Sequence, residues 1–366
     1  MAPVMTAVIY HKFGPPSTLE VVQDYPVPTR GAGELLVRIH ATSINPLDLV
    51  TRKGEIPLAK KGKILGADLS GVVESADATS KFKPGDKVVA LTDGWKAWVR
   101  EGTYAQYCIA KESQLAFIPS NVSFEQAATM PEVGITAWLA LEPMRSKAAG
   151  MRVLVHGGAG GVGGAAVQIA KAWGMHVTTT CSTKNLDFVC QDVGADEAVD
   201  YTSQQVDQLF KGKPFDAVID PVGGMQEGQS LKVLAKHGYY AHVPRAGSSV
   251  MTMLNMFKRT LMSKLYIGPW YKPVFAAPSG AIMKELAELM AAGKLQAFID
   301  KEFPLQQAVQ AHQYMEAKSK PGKKTVLQEG AVLLGKVSSS IAPGVCWTLS
   351  KLRDILTLLL GYEGVQ

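Results

Sequence analysis

The sequence predicts an α/β protein in which a doubly wound parallel sheet is combined with a β-rich domain. Up to about residue 120, short β-branched runs alternate with Gly, Pro and Asp, as in compact β domains. At residues 153–171 a strand, a glycine-rich turn and a helix follow one another, and strand-like runs recur at 176–180, 217–220 and 239–243. Helix-length segments separate these runs, and parallel strands need such crossovers. The central region therefore predicts a doubly wound sheet.

Individual elements outside that sheet carry local sequence signals. Predicted strands lie at residues 34–39, 70–74 and 324–327. Predicted helices span residues 125–141 and 280–293, the second with its apolar residues on one face. Pro84-Gly85 predicts a tight turn, because Pro presets φ and Gly permits the positive φ of a type II turn.

The C-terminal tail from about residue 329 to 366 does not predict a single structure. It is Ser-rich at 337–341 and ends in a Leu-rich stretch, 352–360, whose apolar residues share a helical face. Three interpretations stay open: packing on the rest of the chain, a disordered extension, or a helix that binds a partner or a membrane surface.

Composition limits the class of protein. The 366 residues are 47% hydrophobic and 19% charged, which is enough apolar content for about two globular domains. The net charge of +6 comes from dispersed basic residues, so a nucleic-acid partner is not expected. The four cysteines form no CxxC pair, which argues against disulfides or a cysteine-rich zinc site and favours a reducing compartment. No targeting segment or apolar run of about 18 residues is evident, so a cytoplasmic chain, at most peripheral to a membrane, is expected.

The glycine-rich turn predicts a dinucleotide site. It lies between the strand 153–155 and a helix that begins near 161, and it holds the pattern Gly158-x-Gly160-x-x-Gly163. The first glycine makes the turn, the second lets the backbone approach a pyrophosphate, and the third lets the helix lie close to the strand. The helix N-terminus offers free N–H groups to phosphates. The predicted phosphate-binding residues are Gly158, Ala159, Gly160, Gly161, Val162 and Gly163.

The end of the next strand indicates which dinucleotide binds. NAD sites place Asp or Glu there to bind the ribose 2′-hydroxyl, and this chain has Ser182-Thr183-Lys184 instead. Two hydroxyls and a cation suit a 2′-phosphate, because charge-assisted hydrogen bonds to phosphate are strong. The sequence therefore predicts NADPH, with a solvated surface position as the alternative for Lys184.

The glycine turn and the segments at 194–201 and 216–220 follow one another in an order that points to a family. In these segments the chain resembles the medium-chain dehydrogenase/reductases, in particular their quinone oxidoreductase (zeta-crystallin-like) branch. The segments at 43–48 and 260–264 resemble the chloroplast-envelope quinone oxidoreductase homologue. The resemblance extends from about residue 5 to 328.

This resemblance implies a domain arrangement. A Rossmann domain of residues 126–269 is inserted in a GroES-like catalytic domain made of residues 1–125 plus 270–328, and the tail 329–366 is excluded. The family also implies a homodimer formed through the Rossmann sheet edge, near 264–268 here.

The resemblance further implies chemistry without zinc. Asn45 stands where zinc-dependent members have a first Cys, and Gly66-Ala67-Asp68 stands where they have Gly-His-Glu. Zinc needs about four N, S or O ligands, and the sequence does not supply them there. The implied activity is hydride transfer from NADPH to a quinone or to the β-carbon of an α,β-unsaturated carbonyl. Asp68 and His156 are expected to be structural.

Single residues are assigned by the same resemblance. Asn45 would hydrogen-bond the nicotinamide ribose or the substrate oxygen, with an Asx-turn before Pro46 as the alternative. The remaining predicted cofactor contacts are Thr136 near a helix start, Tyr201 at the adenosine end, and Lys323 before the last strand. His242 is a further candidate for the nicotinamide side, because it ends a parallel strand.

One departure from the family leaves the proton donor unassigned. Several quinone reductases of this branch have a tyrosine shortly after Asn-Pro-x-Asp, whereas this chain has Leu49-Val50-Thr51-Arg52. Solvent protonation is then one option. A catalytically weak NADPH-binding sensor or structural protein, with membrane association through the tail, is the alternative function. A Ser-His-Asp hydrolase is disfavoured, since no Gly-x-Ser-x-Gly elbow is present.

Overall fold

The N-terminal region of the computed structural model is built from antiparallel strands. The structure describes residues 3–56, 59, 61–95, 101–245, 250–265, 268–317 and 324–328. The first strands are β1 (Val4–Tyr10), β2 (Leu19–Pro26), β3 (Glu34–Ser43), β4 (Lys63–Ile64), β5 (Asp68–Ser75), β6 (Lys87–Leu91), β7 (Tyr107–Lys111) and β8 (Leu115–Phe117), with helix α1 (Pro46–Lys53) between β3 and β4. Among them, β1 pairs with β2 and β4, β3 pairs with β5 and β7, and β6 pairs with β5 and β8.

Alternation of burial explains why these segments are strands. In β3 the apolar residues Leu35, Val37 and Ile39 are buried, whereas their immediate neighbours are half-buried. This period of two places one face of the sheet on the core and the other toward solvent.

The central region forms the parallel sheet. Its helices are α2 (Phe124–Ala128), α3 (Pro131–Leu141), α4 (Gly161–Ala172), α5 (Val206–Leu209), α6 (Met225–Val233) and α7 (Val250–Lys264). Its strands are β9 (Arg152–Val155), β10 (His176–Cys181), β11 (Glu197–Asp200), β12 (Phe215–Asp220), β13 (Leu234–His242) and β14 (Trp270–Pro273). The spatial order is β11-β10-β9-β12-β13-β14 with every described pair parallel, which is the Rossmann order.

The last part of the chain returns to the first sheet. It consists of α8 (Gly280–Ala291), β15 (Ile299–Pro304), α9 (Ala308–Ala317) and β16 (Lys324–Gln328). Strand β16 pairs antiparallel with β3 and parallel with β15. The predicted fold class is thereby confirmed. From the sequence, residues 270–273 are expected in the GroES-like domain. In the structure β14 pairs with β13, so these residues belong to the parallel sheet.

Helix α3 packs against elements of both domains. It is apolar on nearly all sides, because it packs on α4 of the parallel sheet and on α8, which in turn packs on β8. Leu286 of α8 lies directly against Gly134 of α3, where a side chain larger than hydrogen would collide with it. The N-terminus of α3 consequently faces residues of both domains. Among the described helices, none has the length and apolar character needed to cross a bilayer.

Candidate active site

The glycine cradle, residues 157–163, connects β9 to α4 as predicted. Its turn is closed by a hydrogen bond from Gly160 N–H to the Gly157 carbonyl at 2.7 Å. A Cβ on Gly158 would lie 2.1 Å from Thr179 Oγ1, and one on Gly163 would lie 2.1 Å from the Gly157 carbonyl oxygen. Both positions must therefore be glycine. The first N–H groups of α4 have no partner within the helix, so the cradle fits a pyrophosphate.

The predicted 2′-phosphate residues follow β10, and the structure adds an acid beside them. Thr183 Oγ1 donates to Asp200 Oδ2 at 2.5 Å, because β11 runs parallel to β10 and ends at the same edge. Hydrogen bonds from Thr183 and Thr202 lower the pKa of Asp200 to about 2. Lys184 is exposed and forms no ion pair with any residue that the structure describes. Lys184 is thus available to bind a 2′-phosphate, whereas the Thr183 hydroxyl already donates a hydrogen bond to Asp200.

Tyr201, Thr136 and His242 differ in how accessible they are. Tyr201 follows β11 and is 52% exposed, so its ring is free to cover an adenosine. The Thr136 hydroxyl donates to the Glu132 carbonyl in its own helix at 2.6 Å. His242 is buried at the end of β13, and its Nδ1 has no hydrogen-bond partner among the described residues. Lys323 lies outside the described residues, as does the tail from 329.

A set of polar side chains that we call the cleft cluster comprises Ser43, Asn45, Asp68, Glu132 and Lys324. Asp68 Oδ2 accepts hydrogen bonds from Ser43 Oγ and from Asn45 Nδ2, the latter at 2.7 Å. Lys324 Nζ donates to Asn45 Oδ1 and lies 3.8 Å from Asp68 Oδ2. The Asn45 amide is therefore engaged at both ends, and it positions a cation beside a carboxylate.

Asn45 is the residue that precedes the first turn of helix α1. Its backbone N–H donates a hydrogen bond to Asp48 Oδ2 at 2.8 Å, and its side-chain oxygen accepts one from Lys324. Asp48 also accepts from Gly66 N–H at 3.0 Å and from Tyr104 Oη at 3.2 Å. Burial raises the pKa of Asp48 to about 6.

Behind Asp48 the hydrogen-bonded chain continues into the core of the β-rich domain. His312 Nε2 lies 3.3 Å from Tyr104 Oη, and Arg52 Nε donates to His312 Nδ1 at 3.3 Å. Arg52 also pairs with Glu316 and is completely buried. Arg52 is thus a structural residue. Arg52 therefore does not replace, as a proton donor, the tyrosine that several quinone reductases of this branch have shortly after Asn-Pro-x-Asp.

His156, which the sequence suggests is structural, lies beneath the cradle. Its Nδ1 is 3.1 Å from Thr180 Oγ1 and its Nε2 is 2.6 Å from Ser230 Oγ. Burial lowers its pKa. Two side-chain hydroxyls therefore hold the ring in place.

A cavity beside the cradle is lined by residues of both domains. Its lining comprises Thr129, Met130, Val133, Gly158, Gly160, Gly161, Gly164, Ala165, Gln168, Phe188, Val193, Gln296, Phe298 and Lys324. Glycines of the cradle and a member of the cleft cluster thus face one space. Neither Glu132 nor Lys324 was among the residues predicted from the sequence. A Glu after Pro at a helix start and a second Lys after Lys323 were the only available signals.

Family models match two parts of the chain. The alcohol dehydrogenase GroES-like domain matches residues 31–120, and the zinc-binding dehydrogenase model matches residues 193–326. The GroES-like match coincides with strands β3 to β8. The second match covers most of the strands that follow the cradle and extends to β16.

Curated proteins and solved structures match over most of the length. The mitochondrial NAD(P)H oxidoreductase RTN4IP1 of Bos taurus is 33% identical over 358 residues, covering 88% of this chain and 89% of that protein. The chloroplast envelope quinone oxidoreductase homolog of Arabidopsis thaliana is 33% identical over 320 residues, covering 84% and 94%. The quinone oxidoreductase structure from Coxiella burnetii has a TM-score of 0.77 at 31% identity and covers 90% of this chain and 100% of that one.

These matches define the class of protein. The chain belongs to the medium-chain dehydrogenase/reductase superfamily, among its quinone oxidoreductase homologues. It is an oxidoreductase of this type, and its cofactor is a nicotinamide dinucleotide, which the cradle fits. The family predicted from the residues is confirmed.

Proposed function

We propose that this protein transfers a hydride from NADPH to a quinone or to the C=C bond of an α,β-unsaturated carbonyl, without zinc. The observation that carries the proposal is the place of Lys324. Its ammonium group lies between Asn45 and Asp68, the two positions where zinc-dependent relatives would have metal ligands. A fixed cation beside the cradle offers the positive charge that such chemistry needs at a carbonyl oxygen.

The side chains around Lys324 do not fit a zinc ion. The set consists of two carboxyl groups, one amide, one hydroxyl and an ammonium group; the amide is already engaged by Lys324 and Asp68, and the hydroxyl donates to Asp68. Tetrahedral zinc needs three or four N, S or O donors around it. A cation in the middle of the set would also repel a metal ion. No group of three or more His, Cys, Asp or Glu suited to a metal occurs in the described parts of the chain.

NADPH is favoured over NADH by the residues after β10. The pyrophosphate would lie on the N-terminus of α4, and the adenosine ribose would lie near Ser182 and Lys184. Asp200 lies one strand further from the cradle, and Thr183 and Thr202 already donate hydrogen bonds to its two oxygens. A mycobacterial homologue, Rv1454c, 29% identical with a TM-score of 0.71, was solved complexed with NADPH and supports the same choice.

Protein groups orient the substrate while the reduced nicotinamide supplies the hydride. Lys324 Nζ has three N–H donors, of which one is engaged by Asn45 and one faces Asp68. The third is available to a substrate carbonyl oxygen. Because Asn45 and Asp68 are completely buried, they fix the ammonium group before the substrate arrives. Asn45 is therefore a positioning residue in this proposal.

The decisive experiment is a substrate panel with NADPH. We expect quinones and α,β-unsaturated ketones to accelerate NADPH oxidation at 340 nm, and dialysis against a zinc chelator to leave the rate unchanged. NADH should support a lower kcat/KM. Tight NADPH binding with no turnover across the panel would favour the catalytically weak sensor, and loss of activity on chelation would contradict the zinc-free mechanism.

Assembly and compartment are separate proposals. We propose a homodimer through the edge of the parallel sheet, where β14 lies and Trp270 is 50% exposed; sedimentation of the full chain tests it. The cytosol stays our proposed compartment, with the plastid envelope as the alternative. The names of relatives include mitochondrial and chloroplastic proteins, so fractionation should examine the organelles as well.

A further inference from the structure

Glu132 occupies a special position at the meeting point of the two domains. It is the second residue of α3, and its backbone N–H donates to Asp68 Oδ1 at 2.9 Å. The next residue, Val133, packs against the start of α4, since a Cβ on Gly161 would lie 3.0 Å from its Cγ1. One helix turn therefore connects the cleft cluster to the cradle, and Glu132 lies in that turn.

The Glu132 carboxyl group differs from the other polar groups around it. Asn45 and Asp68 are completely buried, and hydrogen bonds within the protein engage them. Glu132 is only half-buried, and no described residue donates a hydrogen bond to its carboxyl group. It is thus the acidic side chain of the cluster that is partly exposed and whose carboxyl group accepts no hydrogen bond from a described residue.

The charges around Glu132 favour its protonated form. Asp68 of β5 and Asp48 of α1 repel a negative charge there, Lys324 of β16 attracts it, and Tyr104 lies near the same carboxylates. Burial, followed by Asp68, raises the pKa of Glu132 to about 8, and Lys324 opposes the rise only in part. The group therefore keeps its proton to a higher pH than an ordinary carboxylic acid does.

We propose that Glu132 is the catalytic acid that protonates the substrate after hydride transfer. The inference rests on the proposed function and deepens it, since it assigns the proton donor that the missing tyrosine leaves open. The hydride brings its electron pair to the β-carbon of an enone, or to the quinone. The O–H bond of Glu132 then breaks, and a C–H bond at the α-carbon, or an O–H bond on the quinone oxygen, forms.

Glu132 is left as a carboxylate once it has donated its proton, and it must be protonated again before the next turnover. Lys324 stabilises its negative charge, and because Glu132 is half-buried, water can return the proton before the next turnover. One reduced cofactor and one proton are consumed for each substrate reduced. Tyr104 is a poor alternative donor, since it is completely buried and its hydroxyl already donates to Asp48.

The test compares Glu132→Gln with wild type on an α-substituted enone in D2O. Wild type should place one deuterium at the α-carbon and give mainly one enantiomer, because a fixed acid delivers the proton from one face. Glu132→Gln should lower kcat roughly 100-fold, in keeping with general acid catalysis, and should give a nearly racemic α-carbon. NADPH binding, followed by fluorescence, should change less than about twofold, which corresponds to about 0.4 kcal/mol.

Glu142→Gln is the matched control, since Glu142 is exposed at the other end of the same helix. Its rate, enantiomer ratio and pH profile should equal those of wild type. In wild type, kcat should fall as pH rises through about 8, and in Glu132→Gln this fall should be absent.

A measurement on wild type alone covers the case in which Glu132→Gln does not fold. Infrared titration should show a protonated carboxyl band that persists above the pKa of Asp48, about 6, and disappears near 8. Absence of that band at neutral pH overturns the inference. So does an unchanged rate and enantiomer ratio in a folded Glu132→Gln, and the proposed function then stands. If wild type reduces no quinone or enone, the proposed function fails and the inference fails with it.

Discussion

Glycines of the cradle and Lys324 of the cleft cluster line the same cavity, yet the two regions are built in opposite ways. The cradle is a single stretch of seven residues, and its shape depends on backbone contacts within that stretch and with β10. The cluster gathers side chains from β3, the start of α1, β5, α3 and β16, and its link from Asn45 to Lys324 spans 279 residues. Phosphate binding is thus a local property of the chain, whereas the chemistry near the substrate is a property of the fold.

The two regions also use different physical devices. The cradle relies on the absence of side chains, which lets N–H groups approach a phosphate. The cluster relies on buried charges that balance one another, and removing one partner leaves another uncompensated. We therefore expect substitutions in the cluster to affect both folding and turnover, and substitutions in the cradle to affect cofactor binding first.

Lys324→Met should have the largest effect, because it removes the cation beside buried Asp68. Breaking a buried pair costs about 3–5 kcal/mol, measurable as a lower urea midpoint. Turnover should fall as well. Lys236→Met is the control, since Lys236 is exposed on strand β13, and we expect a change within about 0.5 kcal/mol. Equal stabilities of the two variants would mean that Lys324 does not stabilise the cluster.

Gly163→Ala should weaken cofactor binding about tenfold or more, equivalent to about 1.4 kcal/mol. The added Cβ would lie 2.1 Å from the Gly157 carbonyl oxygen, so the start of α4 must move away from β9. Fluorescence titration with NADPH measures the effect. Gly228→Ala in α6 is the control, because a Cβ there meets no atom within 4 Å. Equal affinity for NADPH in both variants would contradict the role given to Gly163.

Lys184→Glu should reduce the preference for NADPH over NADH roughly tenfold, since a hydrogen bond to a charged group contributes about 1.5–3 kcal/mol. The readout is the ratio of kcat/KM with NADPH to kcat/KM with NADH, and the value with NADH should change little. Lys211→Glu changes the charge at another exposed position of the same domain and should leave the ratio unchanged. A preference that persists in Lys184→Glu would assign the 2′-phosphate to other groups.

A pH dependence of stability is expected from the network behind the cluster. Burial and Arg52 lower the pKa of His312 from 6.5 to about 3. Because the folded-state pKa lies below the unfolded one, the stability that the neutral ring contributes is complete above about 6.5 and is lost as pH falls toward 3. The urea midpoint of wild type should fall over that range.

His312→Asn should make that fall less steep, because no imidazole then has to be protonated in the core. His176→Asn is the comparison variant, since His176 is exposed, and it should reproduce the wild-type slope. If the slope is the same in all three proteins, other groups cause the acid sensitivity.

The sequence by itself determined the family, the fold class and the position of the cradle. Each depends on order and spacing along the chain: a strand, glycines at fixed offsets and a helix, repeated by further strands and crossovers. The comparisons confirm the family and the fold class. The individual cofactor contacts stay predictions.

Only the tertiary structure decided which groups share the cleft. Lys324 reaches Asn45 because β16 pairs with β3, and Glu132 reaches Asp68 because α3 begins between the two domains. Asp200 beside Thr183 likewise results from the pairing of β11 with β10. Local propensity and motif spacing carry no information about such long-range pairing, and the charge and protonation of each group depend on it.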